Sequence, residues 1–315
     1  MEGYERGSKL GEGAWGVVTE ATQKSTGRRV AIKKIGMGKF RDGVNFTALR
    51  EIKFLQEIKH ENIIELVDVF VVYDHINLVF ELCASDLETI IMDRENTLSP
   101  ADIKCHMQML LKAVGHCHKY YVLHRDLKPN NMLYTSEGVL KLADFGLARV
   151  YGSPNRLMTP QVVTRWYKPP ELCFGCREYS ASVDIWSVGC IFAELMLRRP
   201  LFAGTTDAEQ VAKIFQIMGT PTEKNWPHHS SLPEYVEFVP QPAIDLRTLL
   251  TAAPEDAMDL LTKLLVLNPS DRISCAQALK HRYFKNDPPP SEPSQLALPV
   301  PEERKGRKND VKNRD

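Results

Sequence analysis

Three glycines within six residues, in Gly11-Glu12-Gly13-Ala14-Trp15-Gly16, restrict the fold more than any other feature of the chain. The spacing fits G-x-G-x-x-G, which dinucleotide-binding folds also use. Such a fold needs a helix directly after the glycines and an acid about 20 residues further on. Here Val17-Val18-Thr19 follows, and its β-branched residues favour a strand. The residue at that distance is a lysine, in Val30-Ala31-Ile32-Lys33. No G-x-x-x-x-G-K-S/T sequence occurs, which removes the P-loop class. What remains is a glycine hairpin between two strands, with a backbone bare enough to lie against phosphates. Taken alone, it is equally an ordinary tight turn.

Strand-like runs continue at Val69 to Val72 and Leu78-Val79-Phe80. One helix interrupts them, from about Thr47 to Lys59. Ala48, Glu51, Leu55 and Ile58 share one stripe of it. Glu51 therefore sits among apolar neighbours, where a carboxylate needs a partner or must bend out to water. Lys33, on an adjacent strand, is the natural partner. After Asp86 the pattern becomes helical. Ile103, Met107, Leu110, Leu111, Val114 and Cys117 fall on one face, and Val183 to Leu197 reads as a buried helix. Thr206 to Met218 and Glu255 to Leu267 are further amphipathic candidates. Strands first and helices later predict an α+β chain of two lobes, joined near Glu81 to Asp86.

Composition adds limits. Lys plus Arg is 40 and Asp plus Glu is 40, so the formal net charge is zero. This removes the simplest argument for bulk binding to nucleic acid or to an anionic membrane. Seven scattered cysteines suit reduced thiols in cytosol or nucleus. The first residues are too polar for a signal peptide, and no charge-free apolar run approaches the roughly 18 residues that span a bilayer. From Asp287 prolines crowd the chain and then charged residues dominate, so 285–315 is expected to be a disordered tail. Its Arg304-Lys305 and Arg307-Lys308 suit a nuclear import signal or, more simply, a solvated tail.

His124-Arg125-Asp126-Leu127-Lys128-Pro129-Asn130-Asn131 matches H-R-D-L-x-x-x-N in full. Asp144-Phe145-Gly146 comes eighteen residues after Asp126, and Pro169-Pro170-Glu171 stands near the place of an A-P-E. With the glycine loop and Val-Ala-Ile-Lys ahead of them, these motifs identify the chain as resembling eukaryotic protein kinases from about Tyr4 to Phe284. The resemblance implies a two-lobed kinase domain over 1–284, with a β lobe over about 1–82 and a helical lobe over 83–284. It also implies ATP and Mg²⁺ as cofactors.

The resemblance assigns roles residue by residue. Asp126 would orient the substrate hydroxyl, and Lys128, two residues on, would neutralise the transferring phosphate and mark a Ser/Thr kinase. Thr164 would bond both. Lys33, paired with Glu51, would hold nucleotide phosphates, and Asn131 and Asp144 would hold Mg²⁺. Leu10, Val18, Ala31 and Leu133 would sandwich the adenine. Phe80, Glu81 and Cys83 would form the hinge along its edge, and Asp86 would face the ribose. Gly11, Glu12, Gly13, Ala14, Trp15, Gly16 and Val17 would cover the phosphates. Asp184 would brace the catalytic loop, and Glu171 and Arg272 would form a buried ion pair. His124 would be mainly structural.

Asn45-Phe46-Thr47-Ala48-Leu49-Arg50-Glu51 resembles the cyclin-binding helix of cyclin-dependent kinases, and Gly219-Thr220-Pro221-Thr222 with Trp226-Pro227 resembles their helical-lobe insert. Asn-Phe-Thr-Ala-Leu-Arg-Glu-Ile-Lys and Gly152-Ser153-Pro154-Asn155-Arg156 are most similar to the cyclin-H-partnered activating-kinase branch, in which a third assembly subunit can join. This implies a proline-directed nuclear kinase acting on activation segments of other cyclin-dependent kinases and on the RNA polymerase II repeat tail. Thr159 aligns with the phosphorylated threonine of that family, and Arg50, Arg125 and Arg149 with the three arginines that clamp its phosphate. Ser153-Pro154 is a second proline-directed site. Val163 would shape the pocket for proline after the target residue. Another branch of the family, or an inactive kinase-fold scaffold, are the alternatives. Intact Lys33, Glu51, Asp126, Asn131 and Asp144 weigh against the scaffold.

Two departures stand out. Ala14 and Trp15 replace the Thr-Tyr inhibitory sites of many relatives, so that brake is expected to be absent. Lys168 and Pro169 replace the usual Arg-Ala, which leaves local packing and detailed substrate preference open. Cys173-Phe174-Gly175-Cys176 lacks the second pair that zinc needs, and His116, Cys117 and His118 point in different directions on one helix.

Overall fold

The computed structural model describes residues 3–13, 16–36, 46–152 and 157–299. Its first lobe is a five-stranded antiparallel sheet of β1 (Tyr4–Gly13), β2 (Gly16–Gln23), β3 (Arg29–Gly36), β4 (Leu66–Val72) and β5 (His75–Glu81), in the order β1-β2-β3-β5-β4. Helix α1 (Phe46–Glu57) lies between β3 and β4 in sequence. Its predicted stripe is buried throughout: Ala48, Glu51, Leu55 and Ile58 are each at most 2% exposed. Gly16 has φ 133°, and a Cβ there would stand 2.0 Å from the Lys34 carbonyl oxygen. Only glycine lets β2 leave the hairpin this close to β3.

A two-residue strand β6 (Ser85–Asp86) leads into the second lobe and pairs with Leu133 and Tyr134. There α2 (Leu87–Met92) and α3 (Pro100–Lys119) precede the short strands β7 (Val122–Leu123), β8 (Met132–Tyr134), β9 (Leu140–Leu142) and β10 (Arg149–Val150). Ser99 and Asp102 form a reciprocal capping box that starts α3. Then come α4 (Pro170–Cys173), α5 (Ser182–Leu197), α6 (Asp207–Met218), α7 (Glu255–Leu264) and α8 (Cys275–Ala278). The predicted long helices recur within a few residues of their expected bounds. Helix α5 is apolar nearly all round and is buried from Val183 to Leu195, as a central helix must be. No helix of the described residues is long and apolar enough to cross a membrane.

The expectation that the chain leaves the fold at 285 is corrected by the structure over 285–299. Lys104, 1% exposed, donates from Nζ to the carbonyls of Asn286 at 2.7 Å and Pro288 at 2.9 Å. Ser291 bonds Ala101 through its N–H and Asp102 through its hydroxyl, and Leu296 is buried. A Cβ on Gly138 would strike the Pro293 carbonyl at 1.8 Å. Prolines restrict an unfolded chain and so reduce the entropy lost when a surface accepts their extended path. A buried ammonium with three donors supplies such a surface. Residues 300–315, with their basic pairs, lie outside the described residues.

Glu171 and Arg272 form the expected ion pair, bidentate at 2.6 and 2.8 Å with both side chains at most 3% exposed. Arg272 also bonds the carbonyls of Val266, Ser182 and Leu267 and lies 4.9 Å from the Trp186 ring. Arg272→Met leaves Glu171 charged and buried, so it should cost about 3–5 kcal/mol in chemical denaturation. The double change Glu171→Leu with Arg272→Met should cost clearly less.

Candidate active site

A cavity of about 350 Å³ lies between the lobes, lined by Leu10, Gly11, Gly16, Val18, Ala31, Lys33, Phe80, Glu81, Cys83, Asp86 and Leu133 among others. The sheet register accounts for this. Val18 and Leu78 lie opposite Lys33, Phe80 lies opposite Ala31, and residues two apart on a strand share a face. Glu12 and Val17 are described but do not line the cavity, and Ala14 and Trp15 lie outside the described residues. Ile64 and Ala143 line it and were not expected. Ala143 could have been found as the residue before Asp144-Phe145-Gly146. Ile64 carries no sequence signal. The Glu81 N–H donates to the Glu65 carbonyl at 3.2 Å and so is not free to meet a ligand. Asp86 lines the cavity while also capping α2, its Oδ1 accepting from the Thr89 N–H and hydroxyl, both at 2.8 Å.

Lys33 Nζ lies 3.0 and 2.9 Å from the two Glu51 oxygens and 3.5 Å from Asp144 Oδ1. Burial favours the neutral form of each partner and pushes Glu51 up. Burial would likewise lower Lys33, but the Glu51 and Asp144 carboxylates facing it outweigh that and hold its ammonium above the ordinary value. The lysine stays charged against the cavity.

Asp126, 7% exposed, takes Lys128 Nζ at 2.8 Å on Oδ2 and the Thr164 hydroxyl at 2.8 Å on Oδ1. Lys128 also reaches Thr164 at 3.2 Å. Burial alone would raise the Asp126 carboxyl. The Lys128 ammonium and the Thr164 hydroxyl overcome this and hold it below the usual carboxylate range. Asn131 donates its amide to the Asp126 carbonyl and to Oδ2, which leaves its oxygen as an acceptor. That oxygen and the Asp144 carboxylate are hard donors that suit Mg²⁺, which takes one or two protein oxygens and completes its shell with phosphate and water. No group of three His, Cys, Asp or Glu side chains among the described residues is placed to hold a metal.

The loop carrying Asp126 hangs from Asp184. That carboxylate, 1% exposed, accepts the backbone N–H groups of His124 and Arg125 and the His118 Nε2, each at 2.9 Å. Burial would raise Asp184, but these donors hold it below the usual range. His124 is fully buried, with Nε2 on the Ala143 carbonyl and its ring 4.9 Å from Phe145. Arg125, Asp144 and Val163 all have left-handed backbones, with φ of 66°, 64° and 68°. Strain of this kind persists where surrounding contacts overdetermine it.

The three arginines expected to clamp a phosphate are spread over the chain. Arg50 lies on α1, Arg149 on β10, and Arg125 in the catalytic loop. Thr159 is exposed, and the adjacent Met158 N–H donates to the Arg177 carbonyl at 2.9 Å. Ser153 lies outside the described residues. Lys168 is 5% exposed and places Nζ 2.5 Å from Asp207, the first residue of α6, which Arg165 also meets at 3.3 Å. The Lys168 departure thus ties the end of the activation segment to α6. A second cavity, of about 420 Å³ between α6, residues 243–247 and α7, contains none of the motif residues.

The protein kinase domain model matches residues 4–284. This chain belongs to the protein kinase family. It is 53% identical to cyclin-dependent kinase D-1 of Oryza sativa subsp. japonica over 298 residues, 95% of this chain and 70% of that protein. It is 51% identical to cyclin-dependent kinase 7 of Dictyostelium discoideum over 303 residues, covering 95% and 84% of the two chains. With serine/threonine-protein kinase KIN28 of Saccharomyces cerevisiae it shares 48% over 298 residues, 94% and 97%. The fold matches a chain of the CAK complex of Chaetomium thermophilum bound to ATP-gamma-S, with a TM-score of 0.89 and 44% identity over 93% of this chain and 94% of that one. The kinase is a cyclin-dependent serine/threonine kinase of the kinase 7 and KIN28 branch.

Asp184→Asn leaves one acceptor oxygen for three donors and should cost this kinase about 3 kcal/mol at pH 7. The lowered carboxyl stabilises the fold above the ordinary value of about 4, and that contribution is lost as pH falls toward the lowered folded value. Denaturant midpoints of wild type and variant should therefore converge as pH drops below about 4.

Proposed function

We propose that this kinase, activated by a cyclin of the H type, transfers the ATP γ-phosphate to Ser or Thr residues followed by proline. The convergence of Lys128 and Thr164 on Asp126, which Asn131 links to the cavity lined by Lys33 and Asp144, carries this reading. Lys33 holds the nucleotide phosphates. Asp126 accepts a hydrogen bond from the substrate hydroxyl and aims its oxygen in line with the γ-phosphate. A carboxylate held below its usual range is a weak proton acceptor in the ground state, so this role is chiefly orientation, with proton uptake late. Lys128 offsets charge on the transferring group, and Thr164 fixes the angle of Asp126. Mg²⁺, held by Asn131 and Asp144, would neutralise phosphate charge.

Val163 supports the preference for proline. A β-branched residue with positive φ reverses the run of the peptide before it, which removes a carbonyl that could accept an N–H from the substrate. Proline has no N–H to lose. We assign phosphorylation of Thr159 as the switch, with Arg50, Arg125 and Arg149 as its ligands, and Ser153 as a second site. The reading extends to activation segments of other cyclin-dependent kinases and the RNA polymerase II repeat tail as substrates, to a third assembly subunit, and to nuclear location.

The test is phosphate transfer by the cyclin-bound kinase to a Ser-Pro peptide. Asp126→Asn should lower kcat by about 10³-fold with little change in KM for ATP, and replacing the proline by alanine should lower kcat/KM at least about tenfold. Undiminished transfer by the variant contradicts the catalytic assignment.

A further inference from the structure

Tyr179 stands between α4 and α5, outside every motif of the sequence, yet its hydroxyl is bonded on both sides. Arg125 Nη1 donates to it at 2.8 Å, and it donates to the Thr159 carbonyl at 2.8 Å. One oxygen thus joins the loop that carries Asp126 to the segment that carries Thr159. The ring is half-buried against the cluster of Leu123, Met158, Val162, Leu172 and Val183, so packing fixes where the hydroxyl sits. Burial pushes the phenol up, against the pull of Arg125, so it keeps the proton it donates.

Arg125 is held by further bonds as well. Its Nε and Nη2 donate to the Leu147 carbonyl at 2.8 and 2.6 Å, and its backbone N–H goes to Asp184. The activation segment has a second tie close by, from the Met158 N–H to the Arg177 carbonyl. Both ties end within residues 177–179. The chain's own groups make all of these bonds.

We propose that Tyr179 is a positioning residue that docks the activation segment on the catalytic loop through Arg125, giving the cyclin-bound kinase a share of activity independent of Thr159 phosphorylation. The proposal rests on the reading of Thr159 as the switch. A phosphate on Thr159 makes charge-assisted bonds to arginine, which are stronger than a phenol–guanidinium bond, and so takes over the same task. The Tyr179 hydroxyl then matters chiefly before phosphorylation.

The experiment compares wild type and Tyr179→Phe as full chains in complex with cyclin, each in phosphatase-treated and Thr159-phosphorylated form. Tyr179→Phe keeps the ring and its packing, and thermal melts check that both proteins are folded. In the phosphatase-treated pair, kcat/KM for peptide should fall about fivefold or more, whereas the phosphorylated pair should agree within about twofold. No loss in the phosphatase-treated form, or the same loss in both forms, overturns the proposal. The Thr159 reading is judged separately, from the response of wild type alone to its phosphate.

Discussion

The contact between Lys33 and Glu51 is the constraint on which the rest of this kinase depends. Two charges are removed from water, and Glu51 is only 2% exposed. Such burial is tolerated only with close geometry, here 2.9 and 3.0 Å to the two carboxylate oxygens. Glu51 is fixed by α1, whose apolar stripe leaves no other face for it. Lys33 is fixed by β3, held on both sides by the sheet. The pair therefore converts the position of one helix into the position of one ammonium. A displacement of α1 would therefore reach the Lys33 ammonium through Glu51. Gly146 strengthens the coupling, since a Cβ there would lie 3.0 Å from Thr47 on α1.

The second lobe solves a different problem, which is to hold strained backbone still. Arg125, Asp144 and Val163 all occupy the left-handed region, where a β-branched residue such as Val163 is especially costly. The contacts that hold them come from far along the chain. Asp184, on the most deeply buried helix, supplies both oxygens to the catalytic loop. Thr164, next to Val163, is tied to Asp126. A rigid apolar helix and one buried carboxylate thus orient groups that are themselves polar and partly exposed.

Much of this was legible in the sequence because it is local. The stripe of α1 follows from residues three and four apart, and Glu51 stands out as the one charge on it. The motifs around Asp126 and Asp144 carry their chemistry in a few consecutive residues. What was not legible joins distant segments. Nothing near Lys104 shows that its ammonium will meet carbonyls at 286 and 288, so a proline-rich stretch was expected to be disordered. Ile64 reaches the cavity only because its N–H pairs with the Leu142 carbonyl. Tyr179 looks like any surface aromatic until Arg125 and Thr159 are seen on either side of it. Composition was misleading in a similar way, since zero net charge hides three arginines assigned to one phosphate.

The most direct test of the coupling is single-turnover phosphate transfer by the cyclin-bound kinase carrying Glu51→Gln, at saturating ATP and Mg²⁺. A neutral amide keeps the shape of Glu51 but cannot hold the Lys33 ammonium as an ion pair. The account predicts a transfer rate lower by about 100-fold, the scale on which a misplaced electrostatic group costs catalysis, with nucleotide affinity changed far less. An unchanged transfer rate would contradict it.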